Sequence, residues 1–174
     1  MTGDRASALH LISGLPCSGK TTYAEKLRDD LGCAIFSLDR WLITAYGRYD
    51  IAELGQDVHT RRVLACRELI WDAASQLLRR SADVILDDGF FLREHRAQYA
   101  VRAAAAGARA TTHVIDTPLD VIRPRLVRRN ANLPAFNFFI DPAMLAAFAD
   151  LFEPPSPDEG VEIIVVKDVE RART

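Results

Sequence analysis

The sequence predicts an α/β protein: a three-layer sandwich built on a parallel five-stranded sheet, with helices on both faces and a small lid at roughly 123–142. Three observations carry this. Short apolar runs of strand length alternate with longer amphipathic segments of helical period. Several of the apolar runs stop at glycine or aspartate, as at Gly14, Asp39 and Asp87. The first run is followed at once by Gly14-Leu15-Pro16-Cys17-Ser18-Gly19-Lys20-Thr21, a G-x-x-x-x-G-K-T pattern on a strand-to-helix turn.

The first strand is Ala8 to Ile12, and a helix opens behind the glycine-rich turn through Thr22 and Leu27. Cys33 to Leu38 reads as a second strand ending at Asp39. A long helix is expected over roughly 57–80, its apolar face drawn by Val58, Ala65, Leu69, Ile70, Ala73 and Leu77. Asp83 to Leu86 is a fully buried type of strand running into Asp87-Asp88-Gly89. If that strand persists, Asp87 and Asp88 point to opposite faces.

Residues 93–106 form an alanine-rich helix stopped at Gly107, and Ala110 to Ile115 is the next strand. Thr117-Pro118-Leu119-Asp120 has capping-box spacing with proline at the first helical position, predicting a helix to about 130 with a kink or boundary at Pro124. An aromatic-rich loop, 131–142, leads to a short helix ending at Phe152. A turn through Pro154-Pro155-Ser156-Pro157 then precedes a last strand, Val161 to Val166. In such sheets ligands bind at the carboxyl ends of the strands.

The 174 residues fit a single domain, 49% hydrophobic and 26% charged, with no apolar run of membrane-span length and no signal-type stretch at the start. Three cysteines without C-x-x-C spacing fit reduced thiols in a cytoplasmic protein. Cys17 reads as a small residue that fits its loop in preference to an oxidisable thiol. The net charge of −2 offers no general basic field, so nucleic acid is not the expected partner. The cations are nearly all arginine, partly clustered at Arg123, Arg125, Arg128 and Arg129. The four histidines make no metal or nucleophile constellation and are assigned no role.

The glycine-rich turn is chemically explicit. Its backbone N–H groups, from Gly14 through Thr22, can cradle a phosphate chain at the positive end of a helix. Lys20 adds a full charge at the β- and γ-phosphates, and the Thr21 hydroxyl is the expected ligand of a bridging Mg²⁺. Asp39 sits where a carboxylate could accept the proton of an attacking hydroxyl; the alternative is a helix N-cap. Asp87 has the place of an acid that holds Mg²⁺ through its water shell. Arg125 and Arg129, four apart, share one helix face.

With Ser37-Leu38-Asp39, the segment from Val84 to Arg96, Arg125 to Asn130, and Phe152 to Pro155 with Asp158 and Glu159, the chain resembles the P-loop kinases over nearly its whole length. The similar branch holds the kinase domain of polynucleotide kinase, zeta toxin, chloramphenicol phosphotransferase and many small predicted kinases of the AAA-ATPase type. The resemblance implies a P-loop NTPase fold of the kinase type, and ATP with Mg²⁺ as cofactors. It further implies transfer of the γ-phosphate to a small-molecule hydroxyl. Asp39 would be the base, Asp87 the Walker-B acid, and Arg125 and Arg129 lid arginines that neutralise transition-state charge. Loop 131–140 would be a mobile cover, with Phe136, Phe138 and Phe139 closing over a ligand or packing beneath it. Arg93 and Arg96 would be acceptor-side or structural residues, or a solvated face.

Leu42 stands where the polynucleotide kinase branch carries arginine; Arg40 is the alternative that could substitute, but the departure argues against a nucleic-acid 5′-hydroxyl as acceptor. The remaining rivals are such a polynucleotide kinase and a nucleotide-dependent ATPase or switch that lacks an acceptor.

Overall fold

A computed structural model of the chain describes residues 6–167. Five parallel strands form one sheet in the order β2-β3-β1-β4-β5. They are β1 (Ala8–Ser13), β2 (Ala34–Ser37), β3 (Val84–Gly89), β4 (Arg109–Ile115) and β5 (Glu162–Val166). Parallel pairing requires crossovers, and among the described residues seven helices supply them. They are α1 (Lys20–Leu31), α2 (Leu38–Tyr46), α3 (Ile51–Leu54), α4 (Gln56–Leu78), α5 (Arg93–Ala105), α6 (Leu119–Ala131) and α7 (Pro142–Leu151).

The central strand β1 is buried along its whole length because both sheet faces are covered. Its successive residues serve opposite cores. Leu9 and Leu11 pack with α2, α4 and α5, through Leu42, Ile70, Ala74 and Tyr99. Ile12 packs on the other side with Ala24 of α1, beside Ile85 and Ile115. A third cluster joins α6 to α7 through Ile122, Leu126 and Leu145, against Leu15 and Cys17 of the phosphate loop. Among the described residues no helix is long and apolar enough to cross a membrane.

Four expectations are corrected. The buried face of α4 runs through Cys66, Ile70, Ala74 and Leu78, whereas Leu64 and Leu69 are exposed. The stripe recurs every four residues; of the expected face Ile70 lies in it, Val58, Ala73 and Leu77 are half-buried beside it, and Ala65 and Leu69 are exposed. Asp39 is the second residue of α2 rather than the end of β2, since the chain turns helical at Leu38.

The capping box at 117–120 does not form, because the Thr117 hydroxyl donates to the Ser18 carbonyl at 2.8 Å and Pro118 takes the N-cap position. That bond ties the start of α6 to the phosphate loop. A capping box does form at Ser156 and Glu159, around a short 3₁₀ turn, Pro157–Glu159. Finally, of the kink or boundary expected at Pro124 the boundary does not occur, because α6 continues across that residue. Proline there removes one bond near the helix start, and the burial of Ile122 and Leu126 on either side holds the segment helical.

Candidate active site

At the carboxyl ends of β1, β2 and β3 lies a cavity of about 440 Å³ whose walls include Lys20, Asp39, Asp87, Arg125 and Arg129. The phosphate loop forms one side of it, with Pro16, Cys17, Gly19, Thr21 and Thr22. Gly14 starts that loop at φ +150, where a Cβ would lie 3.0 Å from both the Ile115 carbonyl oxygen and the Ser18 hydroxyl. Its N–H donates to the Gly89 carbonyl at 3.1 Å, which locks the loop entrance to the end of β3. Cys17 takes the left-handed conformation, φ +61, unusual for a residue with a side chain. Burial pushes its thiol upward in spite of Arg129, Lys20 and Arg125, so it is a protonated, packing cysteine and not a reactive thiolate.

The Lys20 ammonium reaches back across the loop to the Leu15 carbonyl, 2.7 Å away. Burial lowers its pKa, and the carboxylates of Asp87 and Asp39 oppose that shift. The Thr21 hydroxyl donates to Asp87 Oδ2 at 2.8 Å. Burial raises the Asp87 carboxyl, opposed by Lys20 and by the Thr21 hydrogen bond. Such a hydroxyl–carboxylate pair matches the donor set by which a phosphate-bound Mg²⁺ is held, since that ion takes one or two protein groups and keeps waters and phosphate oxygens for the rest. No cluster of three His, Cys, Asp or Glu side chains able to hold a metal exists among the described residues.

Asp39 opens into the cavity from the first turn of α2. Its N-cap alternative is excluded, because Ser37 occupies that position. The surrounding protein, then the Asp87 carboxylate, push its carboxyl up to about 6, against Lys20. Arg125 and Arg129 both line the cavity, as their shared helix face requires. One Arg129 terminal nitrogen donates to the Phe138 carbonyl at 3.3 Å, while its buried Nε has no hydrogen-bond partner. A guanidinium donor so placed beside a cavity is chemically able to receive an anion.

Asp88 points away from Asp87, as strand alternation predicts. Asp87 and Gly89 pair with the adjacent residues Ile12 and Ser13, so Asp88 is the extra residue of a bulge. Its carboxylate takes Arg67 of α4 in two hydrogen bonds, 2.7 and 2.9 Å. Nothing in the local sequence marks Arg67, which lies within a helix of ordinary charge pattern.

Other candidates go elsewhere. Arg96 is 1% exposed and is held by Glu159 at 2.6 and 2.8 Å and by the carbonyls of Phe90 and Phe91. Arg93 pairs with exposed Asp158 at 2.9 Å. Both therefore bind the 153–159 segment to α5, and neither lines the cavity. Phe138 is buried against Tyr49, ring centroids 5.0 Å apart, whereas Phe136 reaches the cavity wall and Phe139 is exposed. Loop 132–141 is fastened across the site by Arg48, which donates to the carbonyls of Pro134 and Ala135 at 2.6 and 2.9 Å. Leu42 is buried in the core and offers nothing to a ligand. His10 and His113 bond each other at 2.9 Å, and His113 meets the Tyr23 hydroxyl at 2.8 Å; this is a packed chain between β1, β4 and α1.

With this geometry established, comparison with known proteins is informative. The family described as AAA domain matches residues 9–155. The chain belongs to that AAA-domain family. No curated protein matches its sequence. Among solved structures, a candidate kinase from Chloroflexus aurantiacus superposes with a TM-score of 0.75 at 19% identity, over 97% of this chain and 98% of that one. Kti12 from Chaetomium thermophilum, in complex with ADP-AlF3, gives 0.69 at 19% identity, over 92% and 89%.

A chain of the Pnkp1/Rnl/Hen1 RNA repair complex gives a TM-score of 0.67 at 16% identity, over 86% of this chain and 45% of that one. This AAA-domain chain thus has the parallel α/β fold of the P-loop kinases. Because one neighbour comes from an RNA repair assembly, the fold does not support the exclusion of nucleic acid drawn from net charge.

Proposed function

We propose that the chain is an ATP- and Mg²⁺-dependent phosphotransferase that moves the γ-phosphoryl group to a hydroxyl of a small molecule. One observation carries the reading: a single cavity joins the phosphate loop, the Thr21–Asp87 pair, two arginines on one helix face and the Asp39 carboxylate. A phosphate-gripping loop alone would serve any nucleotide binder. A carboxylate facing it across a space of about 440 Å³ leaves room for an acceptor as well.

In this reading the loop Gly14, Leu15, Pro16, Cys17, Ser18, Gly19, Lys20, Thr21 and Thr22 wraps the phosphates, with the backbone N–H groups of Cys17, Gly19, Lys20, Thr21 and Thr22 and the Lys20 ammonium as donors. Gly14 and Ser18 donate their N–H groups to the Gly89 and Leu15 carbonyls, and Pro16 has none. Thr21 and Asp87 hold the metal, which when bound neutralises the phosphate oxygens. Lys20 leaves the Leu15 carbonyl for the phosphates, and Arg129 directs its unpaired Nε toward the group in transfer, with Arg125 beside it.

Asp39 orients the acceptor hydroxyl and takes its proton as the new P–O bond forms and the bond to the β-phosphate oxygen breaks. A carboxyl near 6 is ionised at neutral pH yet basic enough to help. The loop fastened by Arg48 keeps water from competing for the phosphoryl group.

The test is calorimetry with Mg·ATP followed by incubation of γ-labelled ATP with small-molecule extracts, comparing the intact protein with Asp39→Asn. A labelled product formed by the intact protein alone is expected. Equal labelling by both proteins would remove Asp39 from the mechanism, and an empty cradle in calorimetry would remove the enzyme.

A further inference from the structure

Beside its charged groups the cavity has an aromatic wall. It includes Phe91, Phe136 and Phe148. Phe91 follows β3 and Phe148 lies on α7, and their rings stack at 5.4 Å between centroids with planes 13° apart. Phe136 comes from the loop that Arg48 fastens, and it carries the Arg40 guanidinium of α2 over its ring at 4.8 Å. That contact places it on the α2 side, where Asp39 sits.

The position of Phe91 is set by unusual backbone. Gly89 and Phe90 are consecutive residues at positive φ, +84 and +41, the second being rare for a bulky side chain. A Cβ on Gly89 would lie 3.0 Å from the Phe91 ring, so only glycine lets that ring fold back beside the strand end. The Phe91 carbonyl is then fixed by the Glu153 N–H at 2.9 Å and by Arg96 at 3.2 Å. The strain sits at Phe90, whose own ring is buried in the core, and it turns the next residue, Phe91, to the cavity wall.

Charge completes the description. Among the described residues, the cations lining the cavity are Lys20, Arg125 and Arg129. Each has a phosphate to meet on the donor side. Near the aromatic wall, Arg40 lies over Phe136 outside the cavity lining, and Arg67 is held by both oxygens of Asp88. Because Arg67 engages both Asp88 oxygens, the groups left facing an acceptor are the Asp39 carboxylate and apolar rings. A second anionic group on the acceptor would meet repulsion there without a partner.

We infer that the acceptor is an alcohol bearing a flat aromatic ring and no phosphate, sulfate or carboxylate, with its ring against Phe91, Phe148 and Phe136 and its hydroxyl at Asp39. This inference rests on the phosphotransfer reading and sharpens it. Aromatic rings favour offset contact with other rings beyond simple area burial, and they select against open-chain polyols. A polynucleotide 5′-end is disfavoured on the same grounds, because among the described residues the cavity lining offers its further phosphates no cation beyond Lys20, Arg125 and Arg129.

The experiment incubates the full-length protein with Mg²⁺, γ-labelled ATP and small-molecule extracts, then separates the labelled products and weighs them by mass spectrometry. The expected product absorbs in the near ultraviolet and carries the transferred phosphate as its sole acidic group. With the acceptor so identified, Phe148→Leu and Phe148→Ala should raise its KM by about tenfold or more while Mg·ATP affinity in calorimetry stays unchanged. The leucine variant preserves packing volume against Phe91 and guards against simple misfolding.

A ringless product, or one with a second acidic group, overturns the inference and leaves the kinase reading intact. Weakened nucleotide binding with an unchanged acceptor KM also overturns it, because the rings would then hold the donor base. Mg·ATP binding without any labelled product would bring down both readings together.

Discussion

The hydroxyl of Thr21, in the first turn of α1, donates to the carboxylate of Asp87 near the end of β3 at 2.8 Å. This one bond connects the phosphate loop to the neighbouring strand and brings together two oxygen donors that lie 66 residues apart in the chain.

Asp87→Asn keeps the shape of that pair but removes the charge. Magnesium-dependent nucleotide affinity is expected to fall by about 10–100-fold, while the apo protein loses no stability, since ionised Asp87 is already disfavoured by burial. Titration calorimetry of ATP with and without Mg²⁺, beside a thermal melt, reads both effects. Retention of the full magnesium effect would remove Asp87 from the metal site.

Asp39→Asn should separate activity from stability. The folded protein holds the Asp39 proton up to a pH of about 6, whereas the ordinary value is 3.8. Ionised Asp39 therefore opposes folding above pH 6, and the folded state gains stability as pH falls from 6 toward 4. A shift of this size is worth about 3 kcal/mol unscreened, but water in the open cavity reduces it, so about 1 kcal/mol is expected. The variant should be more stable than the parent by that amount at pH 7 and equal to it below pH 4. Its transfer rate should drop by about 10²–10⁴-fold. Urea melts at several pH values and product assays check the two halves.

Arg129→Gln is expected to lower kcat by about 10²-fold or more with little change in acceptor KM, because its guanidinium meets charge that develops in transfer. Arg129→Lys should recover only part of the rate, since an ammonium lacks the Nε donor that the structure leaves unpaired. Steady-state kinetics with the identified acceptor decides the matter. A change confined to KM would assign Arg129 to ground-state binding instead.

Arg96→Met tests the frame behind the site. Its partner Glu159 is buried, with a side chain only 4% exposed, and would be left with an uncompensated charge. Burial opposes the ionisation of Glu159, but the Arg96 hydrogen bonds outweigh it and hold the carboxyl below the usual glutamate range. A loss of about 3–5 kcal/mol in chemical unfolding is expected. The pair's contribution should fade as pH falls through the glutamate range, because protonation ends the attraction. A loss that stays constant to low pH would mean that packing, rather than the ion pair, holds this corner.

Much of this was legible from local pattern. Apolar strands such as Val84 to Leu86 identify themselves, because both of their faces must be covered. The pairing of Arg125 with Arg129 follows from helical period. The phase of α4 was only partly legible, since its buried stripe alternates the small Cys66 and Ala74 with Ile70 and Leu78, while Leu64 and Leu69 remain outside. Thr117 also misled, because its hydroxyl found the Ser18 carbonyl in preference to its own helix.

The sequence by itself determined the layered parallel fold and the phosphate-gripping loop, because both rest on neighbours in the chain: period, glycine placement and the order of strand, turn and helix. Tertiary structure alone decided that Asp88 is taken by Arg67, that Arg96 is buried against Glu159, and that Phe91 meets Phe148 on the cavity wall. These partners lie 21, 63 and 57 residues apart, and only the closing of strands and helices into one body brings them within reach. Local periodicity fixes which way a side chain points, but not what waits for it there.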